Sequence, residues 1–175
     1  MTGARVIFDF DEPKAIETIL YLANRLSQSS KYTICKTLYS ADKLCLERYG
    51  RFIFGETYVA MIHGAVPSHA YNLLKEISNN PIDGITIEGN SVIPARDANL
   101  DYLSESDIEC LDQTIEASNK DFEIMVDDAH DNAWAEAWSG RDDGRGSVAM
   151  PIHSIANTLS NPKDILDYIA ILGGS

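Results

Sequence analysis

Asp127, Asp128 and Asp131 form a run of the shape DDxxD. Magnesium takes oxygen ligands gathered on one face, and in prenyl-diphosphate enzymes such a run holds the metal against a diphosphate. That chemistry needs a second acidic motif and a far longer chain, and this sequence has neither. Asp127 and Asp131 stand four apart with no base between them, a mildly repulsive pair, so the run reads as a solvated acidic face. His130, Trp134 and Trp138 also repeat every four residues. A metal pair would need a His or a carboxylate at position 134; the three read instead as an aromatic ridge, with His130 making one hydrogen bond from its edge. The other histidines, His63, His69 and His153, follow no ligand spacing. Cys35, Cys45 and Cys110 form no CxxC and no zinc pattern, and they read as small buried hydrophobes. No motif singles out a nucleophile–base pair such as Cys45 with His63. GxSxG, HExxH, P-loop and GxGxxG patterns are absent. The one glycine-rich stretch, residues 140–146, carries Asp142 and Asp143, which repel a phosphate. The residues alone therefore point to no catalytic set, no metal and no cofactor.

The elements that position these residues follow from periodicity. The chain has 175 residues, 45% of them apolar. That fits one domain able to sustain a core by burial alone. Its net charge of −13 disfavours phosphate binding to nucleic acid and anionic membrane surfaces. It suits solubility, a basic protein partner or mimicry of a polyanion. No apolar run is long enough to span a membrane, and acidic residues arrive too early for a signal-peptide core, so a cytoplasmic protein is expected. Residues 4–10 read as a short strand or extended arm. Pro13 opens a helix over 13–27, with Ile16, Ile19, Leu20, Ala23 and Leu26 on one face. Residues 31–49 form the clearest helix, with Gly50 at its C-cap; Asp42, Lys43, Glu47 and Arg48 mostly fall outside its apolar stripe, and most of them are placed on a solvated side. Residues 57–63 read as a strand and 68–78 as a helix capped by Ser68. Residues 64–68 form the corner between them. A hairpin turning at Gly89-Asn90 follows over 85–93. Ser104 and Asp107 have capping-box spacing and open the next helix, with Ile108, Leu111 and Ile115 on one face. A single helix is expected from about 119 to 138, then a polar glycine-rich loop over 139–147. Residues 150–158 are ambiguous. A last helix opens at Pro162 and buries Ile165, Leu166, Ile169 and Leu172. The pattern is mainly α with small β elements, an α+β chain forming a compact helical domain with one or two short hairpins. It does not alternate regularly enough for a doubly wound sheet.

One stretch carries a resemblance. Residues 37–51 (TLYSADKLCLERYGR), then Gly55-Glu56-Thr57-Tyr58-Val59-Ala60-Met61, His63-Gly64 and Val66-Pro67-Ser68, closely resemble the Panacea domain, also called the SocA-like antitoxin domain and often described as phage-associated. A weaker likeness is His130 followed four residues later by Trp134. The resemblance covers about 13–138, leaving 139–175 as a loop and C-terminal helix. Cys45 stands where the family often has His; Phe52 and Ala65 stand where it often has Pro. Each of the latter two regains an amide donor and loosens φ at the corner. The matching positions Asp42, Tyr49, Gly50, Gly55, Tyr58, Gly64, Pro67, Ser68, His130 and Trp134 are expected to be structural, with Gly64, Pro67 and Ser68 fixing the angle between strand and helix.

The resemblance implies a mainly helical fold and an antitoxin-like, non-enzymatic protein. Such a protein neutralises a cytoplasmic toxin by direct contact or as an adaptor for proteolysis. Arg51, Glu56 and His63 lie at the rim of the corner and are the partner-contact candidates, with local hydrogen bonding as their equally weighted alternative. Two other readings are kept. One is a phage-encoded acidic inhibitor of a host protein, which predicts steep salt dependence. The weaker one is a small metal-dependent enzyme using Asp127, Asp128 and Asp131, which magnesium or manganese titration would decide.

Overall fold

Asp11 and Pro13 start the first ordered element. The Asp11 carboxylate accepts the Lys14 N–H at 3.1 Å, and helix α1 runs Glu12–Arg25. The computed structural model describes residues 9–173; most of the arm expected over 4–10 lies outside them. Ser30 caps α2 (Lys31–Tyr49) in a capping box with Thr33, and Gly50, at φ 71°, ends it. The strands β1 (Tyr58–Met61) and β2 (Gly64–Pro67) lead into α3 (Ser68–Asn79). The hairpin β3 (Ile85–Glu88) and β4 (Ser91–Pro94) turns at Gly89-Asn90 as expected. A 3-10 turn over Leu100–Tyr102 precedes α4 (Glu105–Lys120), which opens on the expected Ser104–Asp107 capping box. Then come α5 (Glu123–Asp128), α6 (Asn132–Ser139), β5 (Val148–Ala149), α7 (Ile152–Ala156) and α8 (Pro162–Gly173). Two small antiparallel sheets result, one ordered β2-β1-β5 and one formed by β3 and β4. The fold is α+β and mainly helical.

Helix α2 is the axis. Its Ile34, Leu38, Ala41 and Cys45 enter one apolar cluster with α1, α3, β3, β4 and α4. Its Tyr39 and Leu46 enter a second with β1, β2, α6, α7 and α8. A helix covered on both sides has little solvated face left. Asp42 is therefore fully buried and Lys43 nearly so, against the sequence expectation, while Arg48 stays exposed.

Three further features differ from expectation. Residues 64–67 form a second strand, not a simple corner: Met61 pairs with Gly64 across a two-residue turn, Ile62-His63. The helix expected over 119–138 is two helices, because the Ala129 carbonyl accepts the Ala65 N–H of β2 at 2.8 Å and Asp131 caps a new helix at Trp134. In α8, Ile165 and Ile169 are buried and Leu166 half-buried, but Leu172 is exposed. The ambiguous stretch resolves into the end of β5's arm, where Met150 is buried, and α7.

Candidate functional site

The residues of the quoted motif meet where α2, the β1–β2 hairpin and α3 converge. Gly64 has φ 111°, a region that resists a Cβ, and an added Cβ would stand 2.8 Å from the Ala129 carbonyl oxygen. Pro67 is buried at the end of β2. Ser68 is the first helical residue rather than the cap; its N–H and its hydroxyl both donate to the Thr57 carbonyl, at 2.9 and 2.7 Å. The cap comes from Glu56, twelve residues upstream of the start of the helix it serves. One Glu56 oxygen accepts from the Thr57 and His69 N–H groups at 2.8 and 3.0 Å, and the other from the Ala70 N–H at 2.9 Å. His69 Nδ1 lies 2.9 Å from the same carboxylate, and its ring stacks on Phe10. A buried carboxylate at a helix N-terminus satisfies orphan donors and meets the positive end of the helix dipole.

Asp42 ties α2 to this corner. It accepts the Ile53 N–H at 2.7 Å and the Tyr58 hydroxyl at 2.6 Å. Burial pushes its carboxyl up to about 7 against the pull of those two donors. Gly55 adopts φ 75° in the same buried connection. At Gly50 the Tyr168 ring occupies the space a Cβ would need. Tyr49 donates to Glu109 from the exposed end of α2. Arg51 points toward α4, donating to Asp107 at 2.8 Å and to the Ser106 hydroxyl at 2.7 Å. Asp107 also holds Lys14 at 2.7 Å. Burial pushes the Asp107 carboxyl up, but Lys14, the Ser104 N–H and Arg51 outweigh it and hold it below the usual carboxylate range.

The acidic run resolves into separate jobs. Asp131 accepts the Tyr39 hydroxyl at 2.6 Å, the Lys43 ammonium at 2.9 Å and the Trp134 N–H at 2.9 Å. Asp128 accepts the Ser40 hydroxyl at 2.8 Å, and Asp127 is exposed. Among the described residues, no three His, Cys, Asp or Glu side chains gather as metal ligands. His130 makes the single expected hydrogen bond, to the Val126 carbonyl, and packs edge-on to Trp134 with ring centres 4.7 Å apart. Trp134 donates to the Met61 carbonyl at 2.7 Å and stacks with Trp138. This fastens α6 to the hairpin tip, where Ile62 and His63 are exposed. Cys45 and His63 stand apart in environment: Cys45 is a fully buried free thiol, while His63 is exposed at the hairpin tip.

Lys36 escaped the sequence reading. It is 1% exposed, its ammonium donates to the Ala65 carbonyl at 2.9 Å, and burial lowers its pKa to about 8. Its only sequence signal is a lysine inside an otherwise apolar turn, Ile34-Cys35-Lys36-Thr37-Leu38. Glu17 was likewise missed; it is buried and paired with Arg96 at 2.6 Å.

Among the described residues, no helix is long and apolar enough to cross a membrane. Comparison with curated proteins and with solved structures gave no match. The family model described as "Antitoxin SocA-like, Panacea domain" matches residues 34–135, from the first turn of α2 to the middle of α6. That span is more than half of the chain and contains the Asp42, Glu56 and Asp131 anchors alike, so the protein belongs to the SocA-like antitoxin family with a Panacea domain.

Proposed function

We propose that this protein is an antitoxin that binds a cytoplasmic toxin and blocks it by direct protein–protein contact. Membership of the SocA-like family carries the reading. The inward engagement of the charged groups supports a binding role over catalysis: Asp42, Glu56, Asp107 and Asp131 all spend their oxygens on the protein's own donors. They stiffen a frame whose outer residues are free to meet a partner. The hairpin tip is the contact we favour, since Ile62 is 65% exposed beside His63 and is backed by Trp134. Arg51 and Glu56 bond inward, to Asp107 and to the first amides of α3, and act by holding the frame.

Co-expression with the product of the neighbouring gene tests the proposal. Growth should be restored and the two proteins should elute together. Ile62→Asp with His63→Glu should weaken the complex by about 1–3 kcal/mol if these are hot spots. If the neighbour is toxic and is neither neutralised nor bound, the proposal falls. The net charge of −13 favours one second reading, an acidic inhibitor of a nucleic-acid enzyme. Its affinity would drop steeply with salt, and its partner would be strongly basic.

A further inference from the structure

An open groove of about 760 Å³ lies between the first turns of α1, the approach to β3 and the 3-10 turn that precedes α4. Its apolar lining is the half-buried Ile16 and Ile82 with the exposed ring of Tyr102. Its rim is acidic, with Glu12, Asp83 and Asp97 all exposed. Among the described residues the one cation lining it, Arg96, is already committed. Arg96 forms a two-point pair with Glu17 at 2.6 and 2.9 Å, and Glu17 also accepts the Asn99 N–H at 2.8 Å. Asp83 reaches only 3.5 Å from Arg96 Nε. Among the described residues, Glu12 and Asp97 have no ion pair.

We infer that this groove docks a short basic and aliphatic segment of the partner protein, with lysine or arginine heads at the carboxylate rim and aliphatic carbons on the apolar lining. Long basic side chains pair these two demands naturally, burying their stems while the charge stays in water. A second copy of the chain is a poor occupant, because each copy carries −13 and would present like charge to like charge. The groove lies outside the hairpin tip, so it gives the partner a second point of contact. That the partner is a toxin rests on the antitoxin reading; the basic-aliphatic character of the bound segment does not.

The test uses the full chain, labelled for NMR, and a short synthetic peptide in which lysines alternate with leucines. Shifts should concentrate at Ile16, Ile82 and Tyr102. Glu12→Gln with Asp97→Lys should weaken binding about tenfold, a change expected when charge complementarity sets the contact. Glu136→Gln with Glu116→Lys alters net charge equally on exposed helical faces and should leave binding within about twofold. A peptide with serine for leucine should bind about tenfold more weakly, because the apolar lining then has nothing to cover. Tyr102→Ser, on the exposed 3-10 turn, gives an independent loss should the charge variants disturb α1. Shifts elsewhere, equal losses in both charge pairs, or equal binding of the serine peptide would overturn the groove. Neutralisation of the toxin that survives Glu12→Gln with Asp97→Lys would remove the groove from the toxin contact and leave the antitoxin reading standing. Failure of the unaltered chain to neutralise would remove that reading and leave the peptide result standing.

Discussion

Asp42 shows how one side chain sets both architecture and pH response. Its two oxygens hold the Ile53 amide and the Tyr58 hydroxyl, and among the described residues it has no ion pair; Glu56 and Asp107 add like charge from the neighbouring segment and from α4. With its folded pKa raised from an ordinary 3.8 to about 7, the folded state binds the extra proton between those two values. Stability from this group is therefore gained as pH falls from about 7 toward 4, the reverse of a salt-bridged aspartate. Asp107, whose carboxyl is held low by Lys14 and Arg51, works the opposite way and loses its contribution on acidification. Asp42→Asn keeps one oxygen for Ile53 and offers Tyr58 a donor. Subtracting its urea stability profile from that of the unaltered chain should leave a slope confined to pH 4–7, and a flat difference would show that Asp42 does not titrate there. The sequence hid this residue. Its type and its position off the apolar stripe both suggested solvent, and nothing local announces that partners eleven and sixteen residues away lie over it.

At the scale of elements, the long-range cap on α3 makes the clearest claim. A local side-chain cap contributes about 1 kcal/mol. Glu56 serves three amides from a buried position, so Glu56→Ala should cost about 2–3 kcal/mol in urea unfolding, with Glu56→Gln between the two because it keeps one acceptor. A loss of partner binding with stability intact would instead make Glu56 a contact. What was legible among the elements was whatever is decided locally. The apolar stripes of α1, α3 and α4 follow a 3.6-residue period, Ser104 and Asp107 are spaced as a capping box, and Gly89-Asn90 turns a hairpin. What was not legible was whatever a distant partner decides. The Ile62-His63 turn lacks a glycine or asparagine and draws its one positive φ from Gly64, which follows it. Helix α5 stops at Asp128 because the Ala129 carbonyl bonds to β2, a contact that the alanine-rich run from 129 to 137 cannot signal. In the candidate site, Gly50 and Gly64 were legible as positions of special backbone geometry, while the inward hydrogen bonds of Arg51 and Glu56 required the tertiary structure.

At the scale of the whole molecule, the family match and the folding unit are different things. The match begins at Ile34 and ends at Ala135, yet both apolar clusters draw on residues outside it. From α1, Ala15, Ile19, Leu20 and Leu22 are 0% exposed, and Leu26, its C-cap, is 8% exposed. From beyond α6, Met150, Ile155, Ile165 and Ile169 close the second cluster. Each large aliphatic side chain among these contributes about 1.5–3 kcal/mol when buried. Removing either flank thus forfeits several such terms, against a net stability of about 5–15 kcal/mol for a whole domain. Cutting at residue 34 also strips Lys14 from Asp107, leaving a buried carboxylate with Arg51 as its remaining cation, and bares the inner side of α2. A chain cut to 34–135 should therefore keep helical far-ultraviolet dichroism but lose a cooperative thermal transition and disperse poorly by NMR. The full chain should melt once, because α2 belongs to both clusters and neither can come apart without exposing it. Two separate transitions in the full chain, or a sharp one in the shortened chain, would show that the two clusters are independent and that α2 is not their common axis.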